Sequence, residues 1–520
     1  MIFRLTLLLL LFPVWMEAQQ IIPQPLHYEV TAGQLPVPSK PTIGSADAEF
    51  AGLIPSYRHS AGNLFGIKIK EKKRKPFIQL VRNREIIGKE AYRMTISTGG
   101  ITVEAGHVQG CFYGLQSTLQ LLNQARGKGS LPCAVIQDQP RFAWRGVMLD
   151  ESRFFFGKEE VKQILDLMAL HKLNKFHWHL TDVPGWRIEI REFPLLTTVG
   201  GIGNHMDPEA PAKYYTQAEI SEIVRYAEER FIEVIPEIDM PGHATAAVKA
   251  YPEYSGGGSE RYPEFTFHPG KDATYTFLTK ILREVAGLFP SKYIHIGGDE
   301  VHFGNEQWSK LPEVKQLMDK HRLETLVDVE HYFLQRMADS IKTLGRTVFG
   351  WDEVVTAGLS NDNTAVMWWR HDKPVLLKES LDKNYHVVLC PRIPLYFDFV
   401  QHESHIHGRK WTGNYAPIEK VYRFPAEDLT GGVPADNPLV MGIQANVWTE
   451  TIHTPERLQF MLYPRISALA EASWTSQERK DFENFRLRLE KMLELYQKKG
   501  IRFYDFRKSG SDPEIHGPVK

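Results

Sequence analysis

Between Arg141 and Trp474 the chain repeats one rhythm eight times: an apolar run of strand length, then a helical stretch. The strand candidates are Trp144–Leu149, Lys175–Leu180, Glu233–Ile238, Tyr293–Ile296, Thr347–Phe349, Ala365–Trp368, His386–Leu389 and Val440–Ala445. Parallel strands need long crossovers, and a helix is the usual one. In the helical stretches, Val161, Ile164, Leu165 and Met168 share one face, as do Ile220, Ile223, Val224 and Ala227. Thr216 and Glu219 form a capping-box pattern ahead of the second set. A doubly wound sheet alternates in the same way, but the Gly-rich dinucleotide loop that would mark one is not visible. The expected fold is α/β, a (β/α)₈ TIM barrel over residues 141–478.

A small α/β domain is expected to precede the barrel, over residues 19–140. Tyr92–Ser97 and Ile101–Glu104 alternate on either side of Gly99-Gly100, which reads as a hairpin, and Cys111–Leu122 has helical spacing. Residues 479–520 read as a last amphipathic helix, over 478–499, and a frayed tail from Ser509. At the other end, Arg4, the apolar run Leu5–Trp15 and the small residue Ala18 have the layout of a signal peptide over residues 1–18. That run is too short to span a membrane. The three cysteines, Cys111, Cys133 and Cys390, allow one disulfide but no framework. Export is expected, with the bacterial periplasm favoured because Asn-x-Ser/Thr sequons are absent, and secretion as the alternative. Sixty-two basic against sixty-three acidic residues leave no field for nucleic acid, and the short run Lys70–Lys75 reads as a solvated loop. An integral membrane segment is not expected.

Barrel enzymes place their chemistry at the C-terminal ends of the strands. Here those ends carry Asp150 to Arg153, His179 to Asp182, Glu237 to His243, Asp299-Glu300, Trp351 to Glu353, Trp368 to Arg370, Tyr396 to Asp398 and Trp448 to Glu450. Acids beside aromatics at nearly every end suit a sugar, whose apolar face stacks on rings while carboxylates and Arg take its hydroxyls. Neighbouring residues on a strand point to opposite faces, so Asp299 and Glu300 need an irregular backbone to cooperate, and Gly297-Gly298 supplies one. A protonated carboxyl beside an ionised one is the arrangement general-acid chemistry needs. The alternative is that His177 and His179 bind a metal in a metal-dependent barrel hydrolase, or that the chain is a non-catalytic glycan-binding barrel. Packing histidines are the favoured reading of that pair, with neither metal nor cofactor expected. Arg187, Glu189 and Arg191 alternate after Trp186 and read as surface charges.

Five segments carry a resemblance: Arg145-Gly-Val-Met-Leu-Asp-Glu-Ser-Arg153, His177-Trp-His-Leu-Thr-Asp182, Val234-Ile-Pro-Glu-Ile-Asp-Met-Pro-Gly-His243, His295-Ile-Gly-Gly-Asp-Glu300 and Gly442-Ile-Gln-Ala-Asn-Val-Trp-Thr-Glu450. In order and spacing the chain resembles glycoside hydrolase family 20, the exo-acting β-N-acetylhexosaminidases. The resemblance implies hydrolysis of terminal β-linked N-acetylglucosamine or N-acetylgalactosamine with retention, the substrate's own acetamido oxygen serving as nucleophile. The partner it implies is a glycan or oligosaccharide ending in an N-acetylhexosamine. By matching motif, Glu300 is the implied general acid and base, and Asp299 the group that orients the acetamido N–H. Tyr396 would bond the acetamido oxygen, and Trp351, Trp369 and Trp448 would wall its pocket. Arg153, Asp398 and Glu450 would take ring hydroxyls, with Asp182 and His243 supporting the acids. The chain departs from the family at Val183-Pro184, where an acid and an amide are usual, and at Phe154, where a histidine is common. Both positions bear on reach beyond the first sugar.

Overall fold

The computed structural model describes residues 20–508 and 513–515, so the leader-like segment at residues 1–18 lies outside the described residues. The chain forms two compact units, one of residues up to Gln139 with Gln477–Leu495, the other of Pro140–Ser476 with the residues from Tyr496 onward. The last helix runs over Phe482–Lys498, and its residues through Leu495 group with the first unit.

The first unit is a mixed seven-stranded sheet with helices, among them Val108–Lys128. Tyr92–Ser97 pairs antiparallel with Gly100–Ala105, in the expected hairpin. Lys70–Glu71 is a short edge strand pairing with Thr42–Ser45, and Lys72 to Lys75 are exposed.

The second unit is a closed barrel of eight parallel strands: Trp144–Asp150, Lys175–His179, Glu233–Met240, Tyr293–Gly297, Thr347–Trp351, Thr364–Trp368, His386–Leu389 and Val440–Val447. Each lies where the apolar runs predict it. Parallel strands covered on both faces read as continuous apolar runs rather than as alternation, which is why length and spacing locate them. Trp144 fills the barrel interior against Phe349, with ring centroids 5.0 Å apart, and against Tyr293 at 5.7 Å. Gln444 connects this apolar layer to a polar one: its Oε1 accepts from Trp144 Nε1 at 3.2 Å, and its Nε2 donates to His177 Nδ1 at 3.0 Å. The capping box at Thr216 and Glu219 is formed and starts the helix Gln217–Glu228. Among the described residues no helix is long and apolar enough to cross a membrane.

Arg187 corrects the surface reading. It is buried, and its guanidinium donates to the carbonyls of Ser152, Gly201, Gly203 and Lys213 at 2.7–3.2 Å. Burial lowers its pKa to about 10, so the charge is retained at neutral pH. Gly185 makes room for it, since a Cβ there would lie 2.1 Å from the guanidinium. The loop after the second strand thus folds around one cation, an arrangement that local alternation cannot distinguish from a solvated edge.

Candidate active site

A cavity of about 420 Å³ opens at the C-terminal ends of the barrel strands. Its lining includes all eleven residues singled out from the sequence: Arg153, Asp182, His243, Asp299, Glu300, Trp351, Trp369, Tyr396, Asp398, Trp448 and Glu450. Val183, Pro184 and Phe154 are not part of the lining.

The backbone turns sharply where the acids emerge. Gly297 and Gly298 have φ of 68° and 85°, and Glu300 itself is left-handed at 52°. A Cβ at Gly297 would sit 2.0 Å from Asp239 Oδ1, so glycine is required there by space as well as by conformation. A non-glycine residue in this region is costly, and such strain collects at functional sites. The turn brings Asp299 Oδ2 to 3.7 Å and Glu300 Oε2 to 3.8 Å from the same atom, His243 Nε2.

Behind the acids runs a charge relay of fixed order. Asp182 Oδ2 pairs with Arg153 at 2.6 Å and with His179 Nε2 at 3.0 Å, while its Oδ1 meets His243 Nδ1 at 3.0 Å. Burial alone would raise the Asp182 pKa, but Arg153 and His243 outweigh it and hold the carboxyl well below its usual range. In turn Asp182 overcomes the burial of His243 and, with Asp299, lifts that imidazolium to about 10. His243 therefore carries its proton toward the two acids at neutral pH. Asp299 is pushed up to about 6, chiefly by burial, with His243 opposing and Glu300 adding to the rise.

Glu237 occupies the barrel interior below this relay. It accepts from His179 Nδ1 at 2.6 Å and Trp351 Nε1 at 3.0 Å, and lies 2.9 Å from His177 Nε2 and 2.8 Å from His295 Nδ1. The three imidazoles overcome burial and hold it well below the carboxylate range. His177 and His179 are thus committed to Glu237, Gln444 and Asp182, and neither lines the cavity. The groups His177–Glu237–His295 and His179–Glu237–Asp239 have atoms close enough to hold a cation, but both are sealed within the barrel. At the cavity the corresponding group is His243–Asp299–Glu300, where the raised His243 holds a proton rather than a free lone pair.

One wall is aromatic. Trp351 and Trp448 lie 5.7 Å apart, Tyr396 is 6.1 Å from Trp448, and it stacks with Trp369 at 6.3 Å and 10°. Trp369 Nε1 is held by Glu353 at 3.0 Å, and Arg370 is held by Asp352 at 2.5 Å. Burial raises the Tyr396 phenol far above its ordinary pKa, so it remains a neutral donor. Asp398, Glu450 and Arg153 line the cavity as well, and the Arg153 guanidinium lies 5.0 Å from the Trp448 ring. Both Asp398 oxygens are buried without a hydrogen bond, and burial pushes its pKa to about 7 against the pull of Arg409. Sequence reasoning missed Arg392, Phe399, Gly408, Arg409, Lys410 and Trp411, which also line the cavity. All but Arg392 belong to the segment between the seventh and eighth strands that follows Asp398, and its unusual length is the one signal that marks it.

The chain matches known families and structures over most of its length. Residues 142–477 match the model described as "Glycosyl hydrolase family 20, catalytic domain", and residues 18–139 match "Glycosyl hydrolase family 20, domain 2". A β-hexosaminidase of Porphyromonas gingivalis is 33% identical over 95% of the chain, and one of Vibrio furnissii is 35% identical over 75%. The chain spans 65% and 66% of those two relatives' lengths, just under two thirds. The crystal structure of a family 20 exo-β-N-acetylglucosaminidase from Vibrio harveyi, in complex with N-acetylglucosamine, is similar with a TM-score of 0.84 at 30% identity. That likeness covers 94% of this chain and 78% of that one. With the two family models matched over residues 142–477 and 18–139, the chain belongs to glycosyl hydrolase family 20.

Proposed function

We propose that the protein is an exo-acting β-N-acetylhexosaminidase, releasing terminal non-reducing β-linked N-acetylglucosamine or N-acetylgalactosamine from glycans by retaining, substrate-assisted hydrolysis. The observation that carries this reading is the Asp299–Glu300 pair, both acids facing one protonated His243, in a cavity also lined by Trp351, Trp369, Tyr396 and Trp448. The aromatic side holds the acetamido group under the anomeric carbon, which makes attack by its oxygen intramolecular. Tyr396 donates to that oxygen. Glu300 protonates the departing oxygen, then removes a proton from the water that opens the oxazolinium ring. Asp299 accepts the acetamido N–H and faces the positive charge as it develops, an attraction realised only in the transition state.

The other acids of the cavity are each paired with a cation, Asp182 with Arg153 and His243, and Asp398 and Glu450 with Arg409. An aryl N-acetyl-β-glucosaminide should therefore be cleaved and the corresponding β-glucoside left essentially intact, with an oxazoline-like thiazoline inhibiting competitively. Comparable rates on the two glycosides would rule the mechanism out, and absence of turnover on both would leave a glycan-binding barrel. The leader-like residues 1–18 support export, to the periplasm first. Sequencing the amino terminus of protein recovered outside the cytoplasm tests this, and an intact Met1 there would count against it.

A further inference from the structure

The segment after Asp398 reaches the cavity because something outside the cavity holds it. Glu514, in the stretch Pro513–Ile515, has a side chain only 7% exposed. Its carboxylate accepts from the backbone N–H groups of Ile406 at 2.8 Å and of His407 at 3.2 Å. It also pairs with Arg457 at 2.9 Å. Arg457 is buried on the helix Pro455–Leu462, which follows the eighth strand, and it donates to the carbonyls of His407 and Ile515. Two residues past His407, Arg409 turns into the cavity. Its Nε lies 3.1 Å from Asp398 Oδ2, and its NH2 group donates to Glu450 at 2.6 Å.

We infer that Glu514, through Arg457 and the backbone of Ile406 and His407, is a positioning residue for the sugar site: it fixes Arg409, which holds Asp398 and Glu450 in place. Three pieces of chain far apart in sequence meet at this one carboxylate. Two adjacent N–H groups and a buried guanidinium use most of its acceptor capacity, so the loop has one conformation to offer. Without the anchor, Arg409 would be free to swing into solvent, since its side chain is already 52% exposed. Asp398, with no other hydrogen bond, would then lose its nearest cation.

The assignment rests on the reading above that Asp398 and Glu450 take ring hydroxyls. Contacts to non-reacting hydroxyls bind ground and transition states alike, so their loss appears in KM. Glu514→Ala should raise KM for an aryl N-acetyl-β-glucosaminide about tenfold with kcat within about twofold, the scale of a charged hydrogen bond. Arg409→Met should do the same, and the double variant should be no worse than Arg409→Met alone, because both act through one group. Multiplied effects in the double variant, or a lowered Tm with unchanged KM, would overturn the assignment. Should the alanine variant not fold, Glu514→Gln keeps one acceptor oxygen and should give a smaller rise in KM, and no rise would count equally against it. Amide exchange separates the two readings. In the parent chain the Ile406 and His407 amides should be protected, and in Glu514→Gln they should exchange faster, whether or not the parent turns over the glycoside. Unchanged protection would overturn the positioning role, whereas an inactive parent with the faster exchange would count only against the proposed reaction.

Discussion

Asp299 is partly buried at some cost, and the cost has a sign. Its pKa in the folded chain, about 6, exceeds the ordinary 3.8 of an aspartate, so the native state binds this proton more tightly than the unfolded one. The stabilising contribution is present below the unfolded pKa and is lost as pH rises through about 6. Asp299→Asn should therefore raise Tm at pH 8 and leave it nearly unchanged at pH 4. The same substitution should lower kcat by about 10²–10³ with a far smaller change in KM, the scale of one lost preorganised electrostatic contact. Thermal melts at two pH values and steady-state kinetics check both, and a defect confined to KM would make Asp299 a binding residue only. The role proposed for Asp299 needs its ionised form, so kcat/KM should fall as pH drops through about 6. His243 is the cation that holds this pKa down. His243→Gln should move the acidic limb upward by about one unit, and a limb that stays in place would remove His243 from the relay.

At the scale of elements, the loop after the second strand closes around a buried cation as well as around Trp186, Ile188 and Ile190. Arg187 and Arg191 stand in the same alternating stretch, yet only the first is enclosed. Removing the guanidinium takes a donor from four carbonyls, and those of Ser152 and Gly203 belong to buried residues. Arg187→Met should cost about 3 kcal/mol or more in denaturant unfolding, while Arg191→Met should stay within about 0.5 kcal/mol. Equal costs would mean that the loop is held by something other than Arg187. The loop's turn also sets Asp182, through the two-residue pairing of Thr181–Asp182 with Gly185–Trp186. Activity should therefore fall along with stability in the Arg187 variant.

Taken whole, the molecule is large enough to dispense with covalent cross-links. A chain of this length buries most of the surface its unfolded form exposes, which small exported domains cannot do. Cys111, Cys133 and Cys390 are buried and free, so the one disulfide their number allows is not formed. Burial raises the Cys111 and Cys390 thiols above their ordinary pKa and keeps them unreactive. Reductant should leave Tm unchanged, and a thiol reagent should count three groups only after denaturation. A single titrated thiol under denaturing, non-reducing conditions would show that a bridge forms after all.

What could be read from residue order is what neighbours impose on one another. Apolar runs of strand length, helical faces and the capping box at Thr216 are local, and they place every barrel strand to within a few residues. Parallel strands in a barrel bring all their C-terminal ends to one rim, so the acids and rings at those ends converge without any knowledge of contacts. That reasoning names the rim segments, whereas the choice of eleven site residues within them is what the resemblance to glycoside hydrolase family 20 implied. Burial of charge is of another kind, because a buried and a solvated arginine sit in the same local pattern. Glu237 becomes a hub because rings from three other barrel strands close on it. Arg187 is enclosed by a loop that returns on it, and Arg409 reaches the cavity because Glu514, more than a hundred residues later, holds its loop. Those pairings depend on which distant segments the closed barrel brings within hydrogen-bonding reach, and spacing along the chain carries no trace of them.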